Sequence, residues 1–251
     1  MGTLVTNSIK LAPQTTIGIF GGGHIFVNDA IRPDLNSLSA AISEIPSNIN
    51  NLLIHGSEVN VQDLNELSIT GIDCMQIHNV NTKGLNNPLL FSDAKMISIT
   101  ASSENVSFFG DEELAINLGS TKNLKSLHIS GGIFTGKGLA GNMFEALQYL
   151  NISSNSNFET NNLRYLESSI NLETLIISNT NTINNNIMLI KSMFKNLKRL
   201  DISNTLVTPN IVDLLLTMNL TCLFLRNMPL FNSKAEELSA KQTTILGNFP
   251  F

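Results

Sequence analysis

The chain has 251 residues, a formal charge of −5 and 14% charged residues, well under the roughly 25% of an average globular domain. That length suits one substantial core or one elongated repeat array, and the acidic balance argues against the clustered Lys and Arg that a phosphate-backbone binder needs. Apolar stretches such as Ile211 to Leu216, interrupted by Asp213, fall far short of the ~20 residues that span a bilayer, so the sparse charge implies an exterior of Asn, Ser and Thr.

Met1-Gly2-Thr3-Leu4-Val5-Thr6 fits the loose N-myristoylation pattern, but chance explains it equally well, and lipidation of Gly2 is not expected. The basic flank, apolar run and cleavage site of a secretory signal are missing. Sequons at Asn105, Asn151 and Asn219 are accidents of an Asn-rich chain. Thr15 to Phe20 (T-T-I-G-I-F) reads as a first strand centred on Ile17, and Gly21-Gly22-Gly23-His24 as a turn, without the third glycine of a dinucleotide fingerprint. Asp34 to Ile45 carries Leu35, Leu38, Ala41, Ile42 and Ile45 at helical spacing. Strand-like copies follow at Ile49–Ile54, Ile72–Ile77 and Ala94–Ile99.

From residue 123 the pattern sharpens. N-L-K-S-L-H-I-S ending at Ser130 recurs ending at Ser153, Ser178 and Ser203, and as N-L-T-C-L-F-L-R ending at Arg226. The matching leucines are Leu127, Leu150, Leu175, Leu200 and Leu223, spaced 23, 25, 25 and 23 residues apart. This is L-x-x-L-x-L at a solenoid period, and with the upstream copies it gives nine repeats. Between strands, Lys137–Leu147, Asn184–Phe194 and the segment opening at Thr208-Pro209 read as helices, Thr208 as the cap. Ser233-Lys234-Ala235-Glu236 is a capping-box pattern for a closing helix.

Over roughly Thr15 to Asn227 the chain thus resembles the leucine-rich-repeat family, and its longer repeats are similar to the ribonuclease-inhibitor-like branch. The resemblance implies an α/β solenoid, a curved right-handed horseshoe with one parallel strand per repeat on the concave side and helices or irregular segments on the convex side. The expected layout is one domain over 1–251: N-terminal cap and first strand in 1–48, repeats in 49–227, C-terminal cap in 228–251. At the family's Asn position, nine residues into each repeat, Asn155 fits, whereas Gly132, Thr180 and Thr205 do not. Extracellular members usually carry cysteine-rich caps. Here Cys74 and Cys222 share one strand slot six rungs apart, nearly 30 Å at ~4.8 Å per rung, too far for a disulfide. A cytoplasmic setting is therefore expected. Composition and scarce cysteines make the chain similar to the short leucine-rich-repeat proteins that intracellular bacterial pathogens deliver into host cells.

Several motifs have a structural reading beside a chemical one. Gly131–Gly138 is one residue from a phosphate-binding loop, but Gly138 stands where Ser or Thr would reach Mg²⁺, and the repeat frame accounts for the segment. His55 and His78 share a slot in adjacent repeats with His128 two strands on, better read as a polar ladder than as a metal site. The Ser130, Ser153, Ser178 and Ser203 row suits the bend leaving each strand. No metal ligands, cofactor site or catalytic set emerges, so an enzyme is not expected. Side chains flanking the inward leucines face outward, and Tyr149, Ile176 and Phe224 lie there beside Arg199 and Arg226. The expected function is protein binding, as adaptor or inhibitor, through His55, His78, His128, Tyr149, Asn151, Ile176, Arg199, Asp201, Phe224 and Arg226. The alternatives are a structural scaffold segment and, third, a nucleotide-binding protein using residues 131–138.

Overall fold

In the computed structural model the described residues are 15–20, 24–27, 30–31, 49–56, 59, 61–67, 70–101, 110–119, 121–240 and 244–246. The expected helix at Asp34–Ile45, the Met1–Thr6 pattern, the 21–23 glycines and the Asn105 sequon lie outside them.

The strands are β1 (Thr15–Phe20), β2 (His24–Val27), β3 (Ala30–Ile31), β4 (Ile49–His55), β5 (Cys74–His78), β6 (Met96–Thr100), β7 (Ser126–Ser130), β8 (Tyr149–Asn151), β9 (Thr174–Ile176), β10 (Arg199–Asp201), β11 (Cys222–Phe224) and β12 (Thr244–Leu246). The repeat frame anticipates all but β2, β3 and β12, and His24, read as part of a turn, opens a strand instead. They make one open sheet ordered β12-β11-β10-β9-β8-β7-β6-β5-β4-β1-β2-β3. Every pairing from β1–β4 through β11–β12 is parallel. The chain is a leucine-rich-repeat solenoid of the α/β class. Ile17 pairs with Leu52 as the frame requires, and the long gap between them holds β2 and β3, which add antiparallel to the outer edge. One rung exceeds the expected set: Ile245 of β12 continues the column after Leu223.

The alternation that defines the repeat is realised in full. Leu127, Leu150, Leu175, Leu200 and Leu223 are all buried, as are Ile129, Ile152, Ile177, Ile202 and Leu225 two residues on. Each such side chain contributes about 1.5–3 kcal/mol of apolar burial, and none could be buried by a single repeat alone.

What turns the chain after seven of the eight strands β4 to β11 (β6 being the exception) escaped the sequence reading. Four residues past the central apolar position stands a left-handed residue: Gly56, Asn79, Gly131, Ser154, Asn179, Asn204 and Asn227, with φ between 52° and 115°. Asn and Gly tolerate that region better than other residues do, which gives four of the chain's 34 asparagines a backbone cause. The amides of Asn79, Ser154, Asn179 and Asn204 donate to the carbonyls of Thr100, Ser178, Ser203 and Arg226 on the next repeat. The serine row precedes these residues, at the bend expected of it.

The return segments are α1 (Val61–Asn65), α2 (Pro88–Phe91), α3 (Asp111–Leu118), α4 (Asn184–Met193), α5 (Val212–Leu216) and α6 (Ala235–Ser239), with 3-10 turns at Lys137–Leu139, Thr160–Leu166, Pro209–Ile211 and Pro229–Lys234. Asn184–Phe194 is helical as expected. Lys137–Leu147 is not: a single 3-10 turn ends at Leu139, because Gly141 turns left-handed at φ +80°. Thr208 precedes the Pro209 turn, yet its side chain does not cap it. Instead Asn184 Nδ2 donates to Thr208 Oγ1 at 2.8 Å, and the Thr208 amide donates back to Asn184 Oδ1 at 2.8 Å, joining two repeats. The Ser233 capping box also fails to form, since a 3-10 turn runs to Lys234 and α6 starts without a side-chain cap.

The polar residues are not confined to the exterior. Asn87, Asn117, Asn155, Asn162 and Asn186 are buried. Asn117 Oδ1 accepts the Asn87 amide, and its Nδ2 donates to Leu85 O of the preceding repeat at 2.7 Å. Asn155 Nδ2 donates to Ile129 O at 2.7 Å and Ile152 O at 2.9 Å, while Oδ1 accepts the Gly132 amide at 3.1 Å. Where the frame has Thr180 and Thr205, the hydroxyl donates to the carbonyl three residues earlier, Ile177 O or Ile202 O. A hydroxyl serves the turn within its own repeat; the longer carboxamide also reaches the one before.

Candidate functional site

On strands β4 to β11 the side chains opposite the core form three rows. The first holds Asn51, Cys74, Met96, Ser126, Tyr149, Thr174, Arg199 and Cys222. The second holds Leu53, Gln76, Ser98, His128, Asn151, Ile176, Asp201 and Phe224. In the third, His55, His78, Thr100 and Ser130 are in register, and Ser203 and Arg226 continue it, the Arg226 amide donating to Ser203 Oγ at 3.0 Å.

All ten expected contact residues lie in these rows, but the structure groups them unevenly. His55 and His78 are cross-strand neighbours with ring centroids 6.4 Å apart. His128 is in the second row, beside Ser98 and Asn151, so the three histidines do not make one file. Burial lowers the His78 pKa, and the neighbouring His55 charge lowers it further. His128 is lowered by burial first and by the His78 charge second. His78 Nδ1 lies 2.5 Å from Thr100 Oγ1, and His128 Nδ1 lies 3.4 Å from Ser98 Oγ. Among the described residues no group of three or more His, Cys, Asp or Glu is placed to hold a metal.

Tyr149 and Ile176 are half-buried on adjacent strands, one row apart. Phe224 does not touch this pair, because Asp201 of β10 stands between Ile176 and Phe224 in the second row. Asn151 and Asp201 turn an oxygen to their own backbone, accepting the Ser153 and Ser203 amides at 2.9 Å. Arg199 and Asp201, two residues apart on β10, form no ion pair with each other among the described residues. Arg226 lies over the Phe224 ring, its Cζ 5.6 Å from the centroid. Arg199 and Arg226 are both exposed.

Large apolar exposures occur elsewhere too. Besides Leu89, Met143, Ile170 and Met188, Ile133, Leu206 and Leu230 are 58%, 62% and 65% exposed, the first two in the loops that leave β7 and β10 and the third in the 3-10 turn after β11. Single-residue periodicity gave no warning of the last three, since the distance from strand to exposed residue varies from repeat to repeat.

The glycine loop after β7 does form an anion-binding nest, but its anion is Asp111. The Gly136 and Gly138 amides donate to Asp111 Oδ1 at 3.0 and 2.9 Å, and the Thr135 amide and hydroxyl donate to Oδ2 at 3.4 and 2.6 Å. Gly138 is required because a Cβ there would lie 2.4 Å from Asp111 O. The donors that would cradle a phosphate are thus committed to the preceding repeat, which removes the basis for the nucleotide reading. Cys74 and Cys222 stand on β5 and β11, six rungs apart in one row, and neither forms a disulfide. Burial is the main cause raising both thiol pKa values. No helix among the described residues is long and apolar enough to cross a membrane.

No protein-family profile and no curated protein matches the chain. Among solved structures it is similar to the crystal structure of an internalin from Listeria monocytogenes, at 14% identity and a TM-score of 0.39. The alignment covers 86% of this chain and 64% of that one, so the chain spans less than two thirds of the internalin's length.

Proposed function

We propose that the chain binds another protein through the outward face of its parallel sheet and acts by occupancy, as adaptor or inhibitor, rather than by catalysis. The observation that carries this is that half-buried Tyr149, Ile176 and Phe224 and exposed Arg199 and Arg226 share the outward face of β8 to β11. Aromatic residues and arginine dominate interface energetics when a rim of polar groups surrounds them, and the Ser, Thr and Asn rows supply that rim. Eight rungs at ~4.8 Å and three rows spanning ~13 Å give a patch of roughly 440 Å², short of the ~800 Å² per partner of a standard interface. A stable complex therefore also engages neighbouring loops, and those carrying Ile133, Leu206 and Leu230 offer apolar side chains for it. The cytoplasm, of the producing cell or of a host cell into which the protein is delivered, suits two thiols that no strand geometry can join.

The test compares the immobilised wild-type chain with a Tyr149→Ala/Ile176→Ala/Phe224→Ala variant and a Leu206→Ser/Leu230→Ser variant, all checked for an intact thermal transition. A protein retained stoichiometrically by the wild type and lost from the first variant supports the strand face. Loss from the loop variant alone refutes it.

A further inference from the structure

The strand face differs in charge from the rest of the molecule. Across β4 to β11 the described outward side chains include just three with a fixed charge: Arg199, Arg226 and Asp201. The face is therefore net positive on a chain of charge −5. No lysine lies on it, whereas two of the chain's four arginines do. Asp201 offsets one of the two charges but is in no ion pair with either arginine among the described residues, its Oδ1 accepting the Ser203 amide.

Their placement is specific. Arg199 is in register with Cys222, four residues before Arg226 on the neighbouring strand. Four extended residues span about 13 Å, so the backbone positions of Arg199 and Arg226 stand about that far apart along the strand direction, with Phe224 between them. Stacking on Phe224 restrains Arg226 while leaving the N–H edge of its guanidinium open to a carboxylate. An extended peptide repeats its same-side residues every two positions, so its i and i+4 side chains match the spacing of the two arginines and i+2 falls over the ring.

We propose that Arg199 and Arg226 hold an acidic, extended segment of a partner protein along β10 and β11, with carboxylates four residues apart on the two guanidiniums and an apolar side chain between them on Phe224. This names the partner chemistry of the strand-face reading and rests on it.

The probe is the peptide Ser-Glu-Ser-Leu-Ser-Glu-Ser, titrated into the full ¹⁵N-labelled chain while the arginine Nε–Hε signals are followed. Arg164 is the internal control, being an exposed arginine that also lies over a ring, Tyr165, at 5.0 Å, away from this face. The expected result is a saturable shift of the Arg199 and Arg226 signals with Arg164 unmoved, weakened by added salt and abolished when both glutamates are replaced by glutamine. Arg199→Gln and Arg226→Gln should each weaken binding about tenfold, and Arg164→Gln should leave it unchanged. The inference is overturned if Arg164 shifts equally, if the glutamine peptide binds as well, or if neither face arginine moves. Oligothymidylate shifting the same signals as strongly would make the patch a general anion surface, and shifts on raising protein concentration alone would make it a self-association surface; either outcome also overturns it. Should the peptide fail while the Tyr149/Ile176/Phe224 variant still loses its retained protein, the partner chemistry is wrong and the strand-face reading stands.

Discussion

Replacing Asn155 tests how neighbouring repeats are joined. Its side chain is fully buried and bonds the preceding repeat twice, to Ile129 O at 2.7 Å and from the Gly132 amide at 3.1 Å. Asn155→Ala removes both. The bond to Ile152 O is lost as well, and at about 1 kcal/mol net for each of the three the expected loss is about 3 kcal/mol. With an unfolding entropy of ~2.1 cal/mol/K per residue over 251 residues, that corresponds to a fall of about 6 °C in Tm. Asn155→Thr should lose about 2 kcal/mol, because a hydroxyl at this position keeps the bond to the carbonyl three residues earlier, as Thr180 and Thr205 do. Differential scanning calorimetry gives the Tm, and amide exchange at Gly132 shows whether the loss is local to that junction, as nearest-neighbour coupling in a solenoid requires. Exposed Asn157 supplies the control. If Asn155→Ala melts within a degree of Asn157→Ala, or Gly132 exchange is unchanged, the stapling argument fails.

Gly138→Ala places its Cβ 2.4 Å from Asp111 O and should cost about 2–3 kcal/mol, whereas Gly84→Ala, at φ +84° with open space around it, should cost about 1–2 kcal/mol from backbone strain alone. Equal denaturation midpoints for the two would contradict the close packing of the glycine loop on α3. His78 and His128 have folded pKa values below the unfolded 6.5, so the unfolded chain binds more protons, and stability should fall as pH drops from about 6.5 through their folded values. The urea midpoint at pH 7.5 compared with pH 5.5 should change less in His78→Asn/His128→Asn than in the wild type; the same change in both would assign the effect to other groups. With both thiol pKa values raised, Cys74 and Cys222 should react with a disulfide reagent more slowly in the folded than in the urea-unfolded chain at pH 7. Equal rates would show that burial does not govern them.

The repeat spacing alone determined the ladder: it placed the inward side chains of β4 to β11 and even the register of Ile17 with Leu52, because a period-two strand pattern repeated at a near-constant interval leaves one way to bury every apolar column. It also put all ten expected contact residues on the outward rows. What joins those residues to one another was decided only in three dimensions. Asn151 and Asp201 are drawn to amides two residues further on and Arg226 lies over Phe224 two residues back, while Asp201 separates Phe224 from Ile176 through cross-strand neighbours 23 and 25 residues away in sequence. The same holds for the glycine loop, whose anion comes from Asp111 on the preceding repeat, and for Thr208, whose hydroxyl went to Asn184 instead of its own helix. Hydrophobic period is a property of the chain read alone; a polar side chain settles on the best donor or acceptor that packing brings near, and in a solenoid that partner often stands on the next repeat.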